Sequence, residues 1–392
     1  MTQFSKNTLA YFKNNTDNIP PKNNRTILFN IIKPFLQKNI DILEPSAKTG
    51  EFILDLNEFD ISFNIISNED DPQFLDTLQN IPNSNTIPKS FLALSSPHNF
   101  RKFDLILGSP PSFIIDKKTP IGKKFRHWFV LKTNIYSIYL SRSIDLLRND
   151  GIIAFILPDT ILNSPYLQFI RNKISKTGSI LHLQRLSNLF TKTTYNTILL
   201  VYQKKILSKN KFVFNAFNNK LFTFDFTLYK SLYSHSNNLH ILKSTIYNGN
   251  CYNSLERSNN NLHCPIIYNK NIGPDNRLRL FPKSKKQYVD PVNLQIYTKP
   301  SIVISQICGN KKDPYMFNFA ICTLDNYIVQ ESLYVITFPK LNNEDAVILL
   351  YKIVRSFNND NTKKWIKHFI KDGLISKFQL LQYLPIQITT SL

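Results

Sequence analysis

Short apolar runs separated by mixed, helix-like stretches set the pattern of the first half of the chain. Residues 41–43, 63–67, 103–107 and 151–157 are rich in Ile, Leu and Phe and end at polar or turn-forming residues. Runs of that length and composition predict strands buried on both faces. Between them the apolar positions fall at helical spacing. In 134–148, Tyr136, Leu140, Ile144 and Leu147 mark one face, and Asp150-Gly151 stops the helix. Ile27, Phe29, Ile31, Ile32 and Phe35, set among Lys and Asn, predict another helix within the first 40 residues. Residues 195–203 (YNTILLVYQ) read as a further buried strand. Strand alternating with helix predicts an α/β fold whose parallel sheet has helices on both faces.

The pattern changes after Lys204–Asn210, a basic stretch with little periodicity, so we expect a boundary there and two domains, 1–206 and 207–392. Residues 211–340 carry short aromatic runs, prolines and asparagine clusters (Asn237-Asn238, Ser258–Asn261), which predict short strands and loops. Helical patterns return at 343–356 and 361–372, giving an α+β second domain. No internal repeat is visible.

Composition narrows the partners. The 392 residues hold 48 Lys+Arg against 27 Asp+Glu, a net charge of +21. Such an excess attracts polyanions and supplies phosphate contacts. An AT-rich coding sequence, which favours Asn, Lys, Ile, Phe and Tyr, is the alternative source of that charge. Cys251, Cys264, Cys308 and Cys322 form no C-x-x-C pair, which argues against a zinc site and for reduced thiols in a cytoplasmic protein. MTQFSKNTLAYFKNN lacks the apolar core of a signal peptide. No run of about 18 apolar residues predicts a membrane span.

Three turns at predicted strand ends carry candidate chemistry. The first, DILEPSAKTGEF (41–52), passes from Ile42 and Leu43 through Glu44, Pro45, Ser46 and Ala47 to Gly50, where the backbone can approach a ligand closely before a helix near Glu51 and Phe52. Ligands of doubly wound folds lie outside the carboxyl ends of strands, where this turn falls. The second strand ends in Asn68-Glu69-Asp70-Asp71-Pro72, an acidic position suited to a ribose diol. No G-x-G-x-x-G is present, so a cofactor without a pyrophosphate fits better than NAD. The third turn, DLILGSPPSF (104–113), runs from a strand into Ser109-Pro110-Pro111-Ser112-Phe113. Two prolines stiffen this corner and remove two backbone donors, so it can aim a side-chain oxygen and a carbonyl at one point.

Together these segments resemble the S-adenosylmethionine-dependent DNA amino-methyltransferases. In that family the first loop reads (D/E)-P-x-x-G-x-G-x-F, the second strand ends in E-x-D-P, and the catalytic loop reads (N/D/S)-P-P-(Y/F/W). The order is similar to that of the adenine-N6 subgroup of TaqI-like type. Segments 134–174, 188–205, 299–310 and 374–388 extend the resemblance over most of the chain. It implies a Rossmann-like catalytic domain over 1–206 and a target-recognition domain over 207–392. It also implies S-adenosylmethionine as cofactor, duplex DNA as substrate, action as a monomer and, within a restriction-modification system, a cognate restriction endonuclease.

Carried over residue by residue, the resemblance gives Ser109, Pro110, Pro111 and Phe113 to the catalytic corner. It gives Glu44, Pro45, Ser46, Ala47, Gly50, Phe52, Glu69, Asp70, Ser90 and Phe91 to the cofactor, and Phe113 and Tyr195 to stacking on a flipped base. Tyr195 fits a strand-edge core position equally well. The loop 114–132 interleaves Lys117, Lys118, Lys123, Lys124, Arg126 and Lys132 with His127, Trp128 and Phe129; it reads as a phosphate-tracking loop or as an ordinary solvated one. Lys311, Lys312, Lys283, Lys285 and Lys286 are further phosphate candidates. The chain departs from the family at four places: Lys48 replaces a glycine, Ser90 an aspartate and Ser112 an aromatic residue, and Ser109 begins the catalytic loop. Three functions stay open on the sequence: adenine-N6 methylation, cytosine-N4 methylation, and a catalytically decayed homologue that binds DNA or a partner.

Overall fold

The alternating first half resolves into strands and helices close to their expected ends. The computed structural model describes residues 19–59, 61–93, 101–128, 133–186, 196–207, 210–251, 264–281, 287–309, 313–370 and 373–388. In order they begin α1 (Lys22–Ile32), β1 (Ile40–Glu44), α2 (Glu51–Leu56), β2 (Phe63–Asn68), α3 (Pro72–Gln79), β3 (Ser84–Ile87) and β4 (Phe103–Gly108). Then follow α4 (Ile135–Leu146), β5 (Leu147–Pro158), α5 (Gln168–Thr177), β6 (Ser179–Arg185) and β7 (Thr197–Gln203). By its contacts the chain divides into two compact units. One takes the chain up to Asn215 with Lys220–Phe226; the other takes Ala216–Asn219 and everything from Thr227 onward.

The first unit holds a seven-stranded sheet in the order β3-β2-β1-β4-β5-β7-β6. β3, β2, β1, β4 and β5 run parallel. β7 runs antiparallel to both β5 and β6.

Strand side chains alternate between two cores, which is why these strands read as unbroken apolar runs. Leu43, Ile106, Ile153, Phe155, Leu200 and Tyr202 face one core with Ile138 and Leu140 of α4 and Ile170 and Ile174 of α5. Ile42, Leu105, Leu107, Ile152, Ala154 and Val201 face the other, with Leu28 and Phe29 of α1, Phe52 and Ile53 of α2, and Leu78 of α3. The result is an α/β sheet with helices on both faces. Its parallel strands β1, β2, β4 and β5 all end on one edge, at Glu44, Asn68, Gly108 and Pro158.

The second unit centres on an antiparallel sheet, with strands β8 (Thr245–Asn248), β9 (Ser301–Ser305), β10 (Phe319–Cys322) and β11 (Leu333–Thr337) in the order β8-β11-β9-β10. Helices α6 (Asn343–Phe357) and α7 (Asp360–Phe369) follow it. The four cysteines are buried. Among the described residues no helix is long and apolar enough to cross a membrane, and no group of three or more His, Cys, Asp or Glu could hold a metal ion.

One buried ion pair fastens α1 to α2. Arg25 Nε donates to Asp55 Oδ2 at 2.6 Å, and Arg25 Nη1 donates to the Pro20 carbonyl at 2.7 Å. Both side chains are about 10% exposed, so removing one leaves the other charge stranded out of water. Asp55→Ala is expected to cost about 3–5 kcal/mol in urea unfolding. The double change Arg25→Leu/Asp55→Leu is expected to recover most of that loss.

Candidate functional site

The site is built from the turns at the carboxyl edge of the sheet. The β1 turn closes on itself and on β2: Gly50 N–H donates to the Ala47 carbonyl at 2.8 Å, and Ala47 N–H donates to the Asn68 carbonyl at 3.0 Å. Gly50 has φ +83° and caps α2. A Cβ there would lie 2.3 Å from Ile81 Cδ1 and 2.9 Å from Leu78 Cδ2. The positive φ favours glycine there, and a Cβ would further require the Ile81 and Leu78 tips to shift.

Glu69 fixes this turn from the side. Its Oε2 accepts the Lys48 N–H at 2.8 Å, and its Oε1 accepts the Asp70 and Asp71 N–H groups, each at 3.0 Å. The carboxylate proposed for a ribose diol thus also organises two turns, with lone pairs to spare. Burial raises its pKa and the accepted amide bonds hold it down. Burial also raises the Asp70 carboxyl, which bonds to the Ser90 hydroxyl. Ser90 in turn bonds to buried Tyr139.

Glu44 is 1% exposed at the end of β1. Its pKa stands well above the usual carboxylate range, because of burial first and then the nearby Glu51 and Glu69. Its Oε2 has no hydrogen-bond partner among the described residues, and neither do Asn68 Oδ1 and Nδ2. A buried polar atom left without a partner costs about 1–3 kcal/mol. Two such residues side by side at adjacent strand ends fit a polar ligand seated on this edge. Asn68 was not singled out from sequence; a polar side chain closing an apolar strand next to Glu69 was the available signal.

The Ser-Pro-Pro corner lies beside the same turn. β1 and β4 are paired in register, Leu43 with Ile106. Gly108, at φ +137°, packs so close that a Cβ would lie 3.5 Å from Glu44 Cγ. Ser109 Oγ points towards the Ile156 carbonyl at 3.4 Å. Pro110 is buried, and Pro111, Ser112 and Phe113 are half-buried. Asn134 clamps the corner: its Nδ2 donates to Ser112 Oγ at 3.1 Å, and its Oδ1 caps α4 by accepting the Tyr136 N–H at 3.3 Å. The Phe113 carbonyl accepts the Ile135 N–H at 2.9 Å. An Asn just before a helical pattern is an N-cap signal, so Asn134 was legible but was not singled out.

Phe52 packs with Phe29 in one core, and Phe91 packs on Tyr139 with ring centroids 5.2 Å apart in the other. Both rings serve packing. Lys124 is exposed, and its Nζ donates to the Leu92 carbonyl at 2.7 Å and lies over the Phe125 ring. Lys117, Lys118, Lys123 and Arg126 are exposed. Tyr195, Lys132, Lys283, Lys285, Lys286, Lys311 and Lys312 lie outside the described residues.

This sheet, with a carboxylate-lined turn after β1 and a proline-stiffened corner after β4, defines a Rossmann-like S-adenosylmethionine-dependent methyltransferase domain. More particularly, residues 3–191 match the family described as Eco57I restriction-modification methylase. Two curated proteins are similar along nearly their whole lengths. The type II methyltransferase M.CvrRI of Paramecium bursaria Chlorella virus XZ-6E is 27% identical over 366 residues, covering 91% of this chain and 90% of the relative. The modification methylase CviBIII of Paramecium bursaria Chlorella virus NC1A is 25% identical over 396 residues, covering 98% and 97%. Among solved structures, the M protein of the type I restriction enzyme EcoKI matches with a TM-score of 0.36 and 21% identity, over 46% of this chain and 43% of that one.

The raised carboxyls make a stability prediction. Glu44 and Glu69 hold their protons to higher pH when folded than when unfolded, where 4.5 applies. Above that value the unfolded chain has released protons that the folded chain still binds, so stability falls as pH rises. The ligand-free protein is therefore expected to melt higher at pH 5 than at pH 7 through these groups. Glu44→Gln is expected to raise the melting temperature at pH 7 and flatten the profile, measured by calorimetry at both pH values.

Proposed function

We propose that the chain is a restriction-modification DNA methyltransferase that transfers a methyl group from S-adenosylmethionine to the N6 amine of an adenine turned out of duplex DNA. The observation that carries this reading is the adjacency of the two loops: Glu44 of the cofactor turn lies against Gly108, the residue before Ser109. The buried, unpartnered oxygen of Glu44 and amide of Asn68 fit a polar cofactor on this edge, with Glu69 available to its ribose. When bound, S-adenosylmethionine supplies an electrophilic methyl group.

The rest falls to this chain's own residues. An exocyclic amine has its lone pair delocalised into the ring, so it needs acceptors rather than a strong base. The Ser109 hydroxyl, with its hydrogen turned towards the Ile156 carbonyl, keeps lone pairs for one amine hydrogen. The Pro110 carbonyl takes the other, and the two bonds draw the nitrogen towards sp3 geometry. Phe113 is the aromatic ring nearest in sequence to the corner and stacks on the extruded base, since Ser112 cannot. His127 has no role as a base. The exposed Lys117, Lys118, Lys123 and Arg126 contact phosphates. The catalytic domain covers 1–206 and the target-recognition domain 207–392; the chain acts as a monomer in the cytoplasm, beside a cognate endonuclease.

Sequencing DNA from cells that express the chain, with detection of modified bases, tests this. N6-methyladenine is expected at one short motif. Ser109→Ala and Pro110→Ala are expected to reduce that signal about a hundredfold or more. Modified cytosine would move the substrate to the N4 amine, and full methylation in both variants would remove the corner from the chemistry. Unmodified DNA together with tight duplex binding would support a decayed homologue.

A further inference from the structure

Lys48 stands in the β1–α2 turn at φ +50°, a conformation that glycine adopts freely and lysine seldom does. Its N–H is held by Glu69 Oε2 at 2.8 Å. Its side chain is half-buried in the turn, and carboxyl groups from three elements act on its charge: Glu69 after β2, Glu51 in the first turn of α2, and Glu44 of β1. Glu51 also accepts the Thr49 hydroxyl. Arg25 of α1 faces Glu44 as a second cation, while its guanidinium is engaged by Asp55. Lys48 therefore places a positive charge among carboxylates at the end of the strand that carries Glu44.

We propose that Lys48 discriminates between ligands by charge, weakening binding of cationic S-adenosylmethionine relative to its neutral product, S-adenosylhomocysteine. The proposal rests on the reading that this turn holds the cofactor. The two ligands share the adenosine and amino-acid groups and differ by one methyl group and one positive charge on sulfur. Carboxylates alone favour the cation. An ammonium among them cancels part of that preference; at an effective dielectric near 20, a unit charge roughly 10 Å away alters binding on the order of tenfold. Product then competes strongly with cofactor, and turnover becomes sensitive to its removal.

Burial pushes the Lys48 ammonium down to about 8, against the pull of Glu69, Glu51 and Glu44. The charge is thus present at neutral pH and mostly gone at pH 9, which gives a second handle.

Isothermal titration of each ligand into wild type, Lys48→Gly and Lys48→Met, at pH 7 and pH 9, tests the proposal. Lys48→Gly relaxes the positive φ and so keeps the fold. At pH 7 the ratio Kd(S-adenosylmethionine)/Kd(S-adenosylhomocysteine) is expected to fall about tenfold in both variants. At pH 9 the wild-type ratio is expected to fall to theirs, while their own ratios stay constant between the two pH values. Equal ratios in all three proteins at pH 7, or equal tightening of both ligands in the variants, would overturn the charge role and leave the cofactor site standing. Binding of neither ligand to any of the three would overturn the cofactor reading itself, and the proposal with it.

Discussion

Three backbone N–H groups converge on one carboxylate, and the arrangement of the site follows from it. Lys48, Asp70 and Asp71 all donate to Glu69. The first belongs to the turn after β1, the other two to the turn after β2. These strands pair along their whole lengths, Glu44 opposite Ser67, so their turns emerge side by side. Sheet pairing alone leaves such turns with unpaired amides; a buried acceptor between them fixes both at once. Glu69 stays buried in spite of the desolvation that raises its pKa because a carboxylate accepts several bonds where a neutral side chain accepts fewer. The β1 turn, the Gly50 approach and the start of α2 are all set by that anchor.

The sheet itself was legible because its strands are buried on both faces. β1, β4 and the second half of β5 place apolar residues in both cores, so they stand out without strict alternation. β3, Ser84-Asn85-Thr86-Ile87, was not legible: as an edge strand of polar residues it carries no hydrophobic signal, and pairing with β2 alone defines it. The direction of β7 is not carried by its apolar run, since a buried strand reads the same in either direction. Glu44, Gly50, Glu69 and the Ser-Pro-Pro corner were found by their positions at strand ends. The contact of exposed Lys124 with the Leu92 carbonyl was not, because a lysine stem can follow apolar surface to a backbone acceptor without any mark in the sequence.

The edge concentrates groups that the fold alone does not need. Glu44 and Asn68 are buried and Lys48 is half-buried in or beside one turn, with a polar oxygen and a side-chain amide lacking partners among the described residues. A core designed only for stability would replace them with apolar residues. Destabilising polar burial of this kind gathers where a protein binds something, and here it coincides with the strand ends where ligands of doubly wound sheets lie.

The four departures from the resembled motifs fall where the backbone is held by something other than the departing side chain. Lys48 keeps its turn because Glu69 bonds its amide. Ser112 keeps its corner because Asn134 and the Ile135 amide hold it and the neighbouring Phe113 carbonyl. Ser109 is fixed by the prolines that follow it and by Gly108 packed on Glu44. Ser90 precedes Phe91, whose ring is locked in the core against Tyr139. Backbone placement and side-chain chemistry are thus separable on this edge. Residues there can change charge or size without loss of the turn, so their effects should appear in ligand affinity and rate before they appear in stability.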